Sequence, residues 1–169
     1  MSTSDILIRI NVKNYGSILV ELYPKLAPNS VVNFMHYVKQ NFYNGLIFHR
    51  IIKGFMIQGG GGKKTNQPIK GEFLQNGFNN PIKHERGVIS FARTSDPNSA
   101  TSQFFIMHQN APHLDGAYAA FGKVVEGLET VDKIANVRTG FQDKPVDDVM
   151  IDHIDIIEIN TPLMDPVFL

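Results

Sequence analysis

A mainly β domain, a barrel or a sandwich, is what the sequence predicts, and three observations predict it. Short apolar runs recur throughout the 169 residues, bounded by glycine, asparagine and proline turn signals. Only two stretches carry apolar residues at helical spacing. No internal repeat, low-complexity segment or linker divides the chain, whose length suits one domain with a core of its own.

Ile6, Ile8, Ile10 and Val12 alternate with Asp5, Arg9, Asn11 and Lys13, the period of a half-buried strand. Asn14-Tyr15-Gly16 turns the chain and Ile18, Val20 and Leu22 resume the alternation, so a hairpin is expected. Pro24 and Pro28 end it. Pro28 suits the first turn of a helix, where its missing N–H costs nothing, and Val31, Phe34, Met35 and Val38 then form one apolar stripe. So short a helix is not stable alone and should lie against the sheet. Asn44-Gly45 marks the next turn. Residues 48–62 read as two short strand pieces bent at Gly54, and residues 66–86 as a long connection of the kind that borders binding sites. Val88–Phe91 and residues 103–107 are continuous apolar runs, expected to be buried on both faces, with a turn-rich loop between them. Residues 119–125 make another strand and Leu128, Val131 and Ile134 a second short helix. In the closing strand, Ile151–Ile159, uneven alternation predicts a bulge.

Composition narrows the function. Lys plus Arg and Asp plus Glu are 16 each, a net charge of zero, so no broad field invites nucleic acid or an anionic membrane, and neither partner is expected. Hydrophobic residues at 43% and charged residues at 19% describe a soluble globular chain. Cysteine is absent, which excludes disulfides, thiol nucleophiles and thiolate metal sites. No apolar run approaches the roughly 20 residues that span a bilayer. Residues 1–5 lack the basic and apolar parts of a signal peptide, so the cytoplasm is the expected compartment.

Several constellations fail on inspection. Gly59 to Gly62 with Lys63-Lys64-Thr65 invites comparison with a phosphate loop, but Ile57 stands where its first glycine belongs and Lys64 where Ser or Thr should follow the lysine. His36, His49, His84, His108, His113 and His153 form no zinc-ligand spacing, so no metal is expected. Ser90, Ser95 and Ser102 lack a nucleophile elbow. What remains is residues 48–62: Arg50 and Gln58, on one face if the chain bends at Gly54, beside Phe55 and Met56. This offers hydrogen-bond donors next to an apolar pocket and no nucleophile. Flanked by Phe48, Ile51 and Ile52, Arg50 is expected to be shielded from solvent and to need a partner. Phe55 and Phe105, each near a glutamine (Gln58, Gln103), stand out among aromatics that otherwise read as core.

Phe-His-Arg-Ile-Ile-Lys-Gly-Phe-Met-Ile-Gln-Gly-Gly at residues 48–60 resembles the signature of the cyclophilins, the cyclosporin-binding type of peptidyl-prolyl isomerase. Ser102-Gln103-Phe104-Phe105-Ile106 matches too, as does Leu114-Asp115-Gly116 followed by Phe121-Gly122-Lys123-Val124. The blocks stand in the family's order, and the stretch from Phe91 to Ser102 is most like its compact bacterial members. The resemblance implies a closed, eight-stranded antiparallel barrel capped by two helices, with residues 1–160 as the isomerase domain and 161–169 as a tail. That tail is apolar enough to dock, though terminal segments are more often loose.

For activity, the resemblance implies cis–trans isomerisation of Xaa-Pro bonds in peptides and folding proteins without cofactor; the sequence shows no interface pattern, so a monomer is expected. It puts Arg50, Phe55 and Gln58 in the catalytic role and Met56, Ala92, Arg93, Gln103, Phe105, His113, Leu114 and Tyr118 along the substrate. Arg93 stands where many members carry Asn, and Tyr118 where many carry a groove histidine. His113 replaces a Trp frequent in cyclosporin-sensitive members, so weakened cyclosporin binding is expected. Rival readings are a module that binds proline segments without turning them over, a holding chaperone, and a purely structural barrel, which would have little need of Arg50, Gln58 and Gln103 around an apolar hollow.

Overall fold

The structure, a computed structural model, describes residues 5–62 and 64–169. The residues read for a leader up to Ser4, and Lys63 of the glycine–lysine run, lie outside the described residues. Eight strands form one antiparallel sheet: β1 (Ile6–Val12), β2 (Gly16–Leu22), β3 (Arg50–Ile52), β4 (Met56–Gly59), β5 (Val88–Phe91), β6 (Phe104–Met107), β7 (Ala120–Glu126) and β8 (Ile151–Ile159). Their order across the sheet is β3-β4-β6-β5-β7-β2-β1-β8. Two helices, α1 (Pro28–Lys39) and α2 (Leu128–Ala135), pack on it.

The alternation in β1 and β2 makes the expected hairpin, with Asn14 and Gly16 at positive φ in its turn. The uneven pattern of β8 has a cause. Against β1 its register slips twice, leaving Ile157 and Asp152 as extra residues in two bulges. The expectation of a closed barrel needs correction. The sheet curls into a half-barrel whose outer strands, β3 and β8, form no ladder with each other. The gap is bridged just before each strand, where Ile47 pairs with Met150 and Phe48 N–H donates to Val149 O at 2.9 Å. Three-residue β3 is too short, and β8 too bulged, for the ladder to continue.

Helix α1 begins with Pro28, as its sequence suggests, but Ala27 before it provides no side-chain cap. Glu72, buried in the long connection, takes over. Its carboxylate accepts from Ser30 N–H at 2.6 Å, Ser30 Oγ at 2.7 Å and Asn29 N–H at 3.3 Å, so an anion sits where the helix dipole favours one. The apolar stripe then turns inward, and Phe34 sits among the rings of Tyr43, Phe121 and Phe104 with centroids 5.2–5.5 Å away. Gly59 and Gly60 let the β4 wall approach this aromatic core. A Cβ on Gly59 would stand 2.7 Å from Ile47 O, and one on Gly60, φ 83°, would stand 2.8 Å from the Tyr43 ring. The tail is docked rather than loose: Asn29 and Val167 exchange hydrogen bonds of 2.8 and 2.9 Å, and Leu169 N–H reaches Pro68 O.

Candidate active site

The period of two along a strand decides where the site lies. Ile51, Ile57, Ile106 and Ile89 are successive register partners across β3, β4, β6 and β5, and all four turn into the main core. One position along each strand, Arg50, Gln58, Phe105 and Ser90 make the next row, which therefore faces outward. Met56 and Met107 pair in a further outward row, and with Val88, Phe105, Ala111, Leu114 and Ala120 they form a second, separate apolar cluster. Strands β5 and β6 are thus buried throughout because each lies between two cores.

A groove of about 430 Å³ opens over this outer cluster. Arg50 and Gln58 stand on one side, Met56, Phe105 and Leu114 form its apolar floor, and Phe55, Ala92, Arg93, His113 and Tyr118 complete its walls. Gln103 lines a smaller hollow of about 200 Å³ that shares Gln58, Ala92 and Arg93 with the groove. All eleven residues singled out in the sequence are therefore brought to one continuous surface. Thr94, Ser99 and Thr101 of the smaller hollow were not foreseen, because a turn-rich loop gives no sign of which side chains face inward.

Arg50 is exposed, contrary to the expectation that its apolar neighbours shield it. Phe48 and Ile51 point into the barrel, while edge strand β3 leaves the guanidinium in the open groove. It donates to Gln58 Oε1 at 3.5 Å, a long contact, and Gln58 Nε2 donates in turn to Gln103 Oε1 at 3.0 Å. Arg93 is held elsewhere. Its guanidinium lies between the rings of Tyr118 and Phe73, 4.5 and 4.9 Å from their centroids, and donates to Ala117 O at 2.6 and 3.1 Å. That clamp sets Tyr118 edge-on to Phe105, 5.7 Å away, and the exposed His113 ring tilts over Phe55 at 5.8 Å.

Comparison with known proteins identifies the family. The family described as cyclophilin type peptidyl-prolyl cis-trans isomerase/CLD matches residues 7–156. The chain belongs to the cyclophilins. A peptidyl-prolyl cis-trans isomerase of Acinetobacter baylyi is 48% identical, over 88% of this chain and 84% of its own length. Peptidyl-prolyl cis-trans isomerase B of Escherichia coli is 42% identical, over 86% and 96%. Among solved structures, a cyclophilin type isomerase of Cryptosporidium parvum in the presence of the dipeptide Ala-Pro superposes with a TM-score of 0.80 at 33% identity, covering 90% of this chain and 99% of that one. Membership makes the chain an isomerase of the peptidyl-prolyl type, a family that takes proline-containing peptides. No helix among the described residues is long and apolar enough to cross a membrane.

Two histidines hold the cyclophilin groove from behind, and sequence spacing gave no sign of either. His84 lies under the floor, stacked 6.1 Å from Phe105, with Nε2 3.0 Å from Ser90 Oγ. Its Nδ1 comes within 3.3 Å of Asp115 Oδ1 but off the hydrogen-bond direction. Burial pushes its pKa down, against an opposing pull from Asp115, so the ring is neutral near pH 7. His108 supports the other end. Gly54 N–H donates to its Nδ1 at 2.8 Å, which requires that nitrogen to be unprotonated, so Nε2 carries the proton and meets Asp132 Oδ1 at 3.0 Å. Arg86 clasps the same carboxylate at 2.7 and 2.9 Å. Helix α2 is thereby tied to the turn that carries Phe55.

Proposed function

We propose that this cyclophilin turns over Xaa-Pro bonds in its 430 Å³ groove with Arg50 as the donor that favours the twisted state. The row of Arg50 and Gln58 over an apolar floor carries this reading: it offers a cation beside an apolar hollow that can receive a proline ring. Rotation crosses a barrier of about 18–20 kcal/mol because the C–N bond must give up its resonance. At the twisted midpoint the imide nitrogen regains a lone pair, and a guanidinium N–H accepted there but not in the planar amide lowers the barrier selectively. Met56, Phe105 and Leu114, with Phe55, hold the ring. Gln58, itself held by Gln103, and the chain at Ala92 and Arg93 grip the flanking peptide. No proton moves and no covalent bond forms. The Cryptosporidium relative was solved in the presence of the dipeptide Ala-Pro, which contains an Xaa-Pro bond.

Clients are unfolded or folding proteins with accessible prolines, met by a monomer in the cytoplasm. Residues 1–160 form the isomerase domain and 161–169 its tail. His113 presents an imidazole where an indole would pack more widely, so cyclosporin binds weakly. The test is the cis-to-trans rate of a short Xaa-Pro peptide, with affinity measured in parallel. Arg50→Ala lowers the rate about 100-fold, as removal of one preorganised donor does elsewhere, while still binding peptide. A wild type that binds peptide and leaves the rate unchanged makes this a proline-recognition module instead.

A further inference from the structure

Beyond edge strand β3 lies a larger hollow, about 810 Å³, and Arg50 lines both it and the groove. Its far wall is the turn following Thr139. That turn is closely made, with Gly140 N–H donating to Lys144 O at 2.8 Å and Val146 N–H to Arg138 O at 2.9 Å. Gln142 and Asp143 stand in succession at φ 56° and 59°, a region non-glycine residues enter reluctantly and which persists where the surroundings impose it. The turn sets Phe141 out into water, 87% exposed, with Val146 59% exposed on the same wall. Large apolar side chains on the rim of a hollow are the ordinary anchor of a binding surface. Arg50 and Lys144 outnumber Asp143 by one positive charge, and His49, its pKa held down by burial and then by those two cations, adds none near pH 7.

In the sheet order β3 is outermost, and Arg50 at its start lines both the groove and the larger hollow, so the two are contiguous. An extended peptide advances about 3.3 Å per residue, so a chain whose proline sits in the groove carries the residues some two to four places away past Arg50. We propose that this hollow is a subsite for the substrate polypeptide: the segment flanking the proline lies there, with an aromatic or large apolar side chain against Phe141 and an acidic one toward Lys144. The inference rests on the groove being where the Xaa-Pro bond binds.

The test titrates wild type, Phe141→Ala and Lys144→Glu with a core Xaa-Pro tetrapeptide and with versions lengthened at either end by residues that include Phe with Glu, or Phe with Lys. Kd comes from calorimetry and the exchange rate from NMR on the same samples. Wild type binds one lengthened Phe/Glu peptide about fivefold tighter than the core, Phe141→Ala loses most of that gain, and Lys144→Glu reverses the order of the Glu and Lys peptides. Equal affinity for core and lengthened peptides, or a gain that Phe141→Ala leaves intact, overturns the subsite. A gain in affinity with no acceleration of exchange strikes the catalytic reading alone and leaves the subsite standing.

Discussion

The barrel interior and the groove floor are both apolar, and both are lined by β4, β5 and β6, yet they differ in nearly every other respect. Inside, isoleucine rows and the rings around Phe34 pack against one another and exclude water. Outside, Met56, Phe105 and Leu114 are nearly as well buried but line an open groove, and polar groups such as Arg50 and Gln58 stand at their rim. One strand serves two purposes because neighbouring side chains point to opposite faces. Stability is concentrated in one set of rows, and the capacity to receive a ligand in the other.

Adjacent residues Phe104 and Phe105 put this contrast to its sharpest test. Phe104→Ala opens a cavity in the aromatic core and should cost about 3–5 kcal/mol, read as a fall in the denaturant midpoint. Phe105→Ala removes groove floor: it should cost less stability than its neighbour but lower kcat/KM for an Xaa-Pro peptide more than tenfold. Equal losses of stability with equal activities would erase the distinction.

A smaller effect is expected behind the groove. His108→Ala strips the acceptor from Gly54 N–H and should cost about 1–2 kcal/mol. Because the turn carries Phe55, KM should also rise a few fold, and His108→Asn, which can place an acceptor near the Nδ1 position, should recover part of both. If KM is untouched, the His108–Asp132 link serves stability alone.

The mildest effect concerns pH. His84 is held neutral mainly by burial, so its folded pKa lies below the unfolded value of about 6.5. The unfolded chain therefore binds a proton that the native state refuses. This contribution to stability is complete above about pH 6.5 and is lost as pH falls below it. His49 shifts in the same direction, again chiefly through burial, and adds to the slope. Thermal midpoints should be level from pH 7 to 8 and decline toward pH 5.5, whereas activity at neutral pH should stay flat because the proposed mechanism moves no proton. His153, its pKa drawn up by the hydrogen bond to Asp152, opposes this slope, so a midpoint that rises on acidification in a His153→Ala variant would contradict the neutral assignment of His84.

The strands, both helices and the bulged last strand were legible in the chain, as were, through the family motifs, the residues that meet in the groove. Each was written in a local period, a proline or glycine, or a motif whose spacing survives without coordinates. The pairing of Arg50 with Gln58 was legible because a bend at Gly54 leaves a two-strand register little freedom. The exposure of Arg50 came from the folded sheet, since solvation depends on which strand is at the edge rather than on which residues adjoin it. Likewise the tertiary structure alone decided that Glu72 caps α1, that Arg93 clamps Tyr118, and that His84 and His108 stand behind the site. Those contacts join positions far apart in the chain, 42 residues in the case of Ser30 and Glu72, and no local pattern records which distant partner will arrive when the sheet curls.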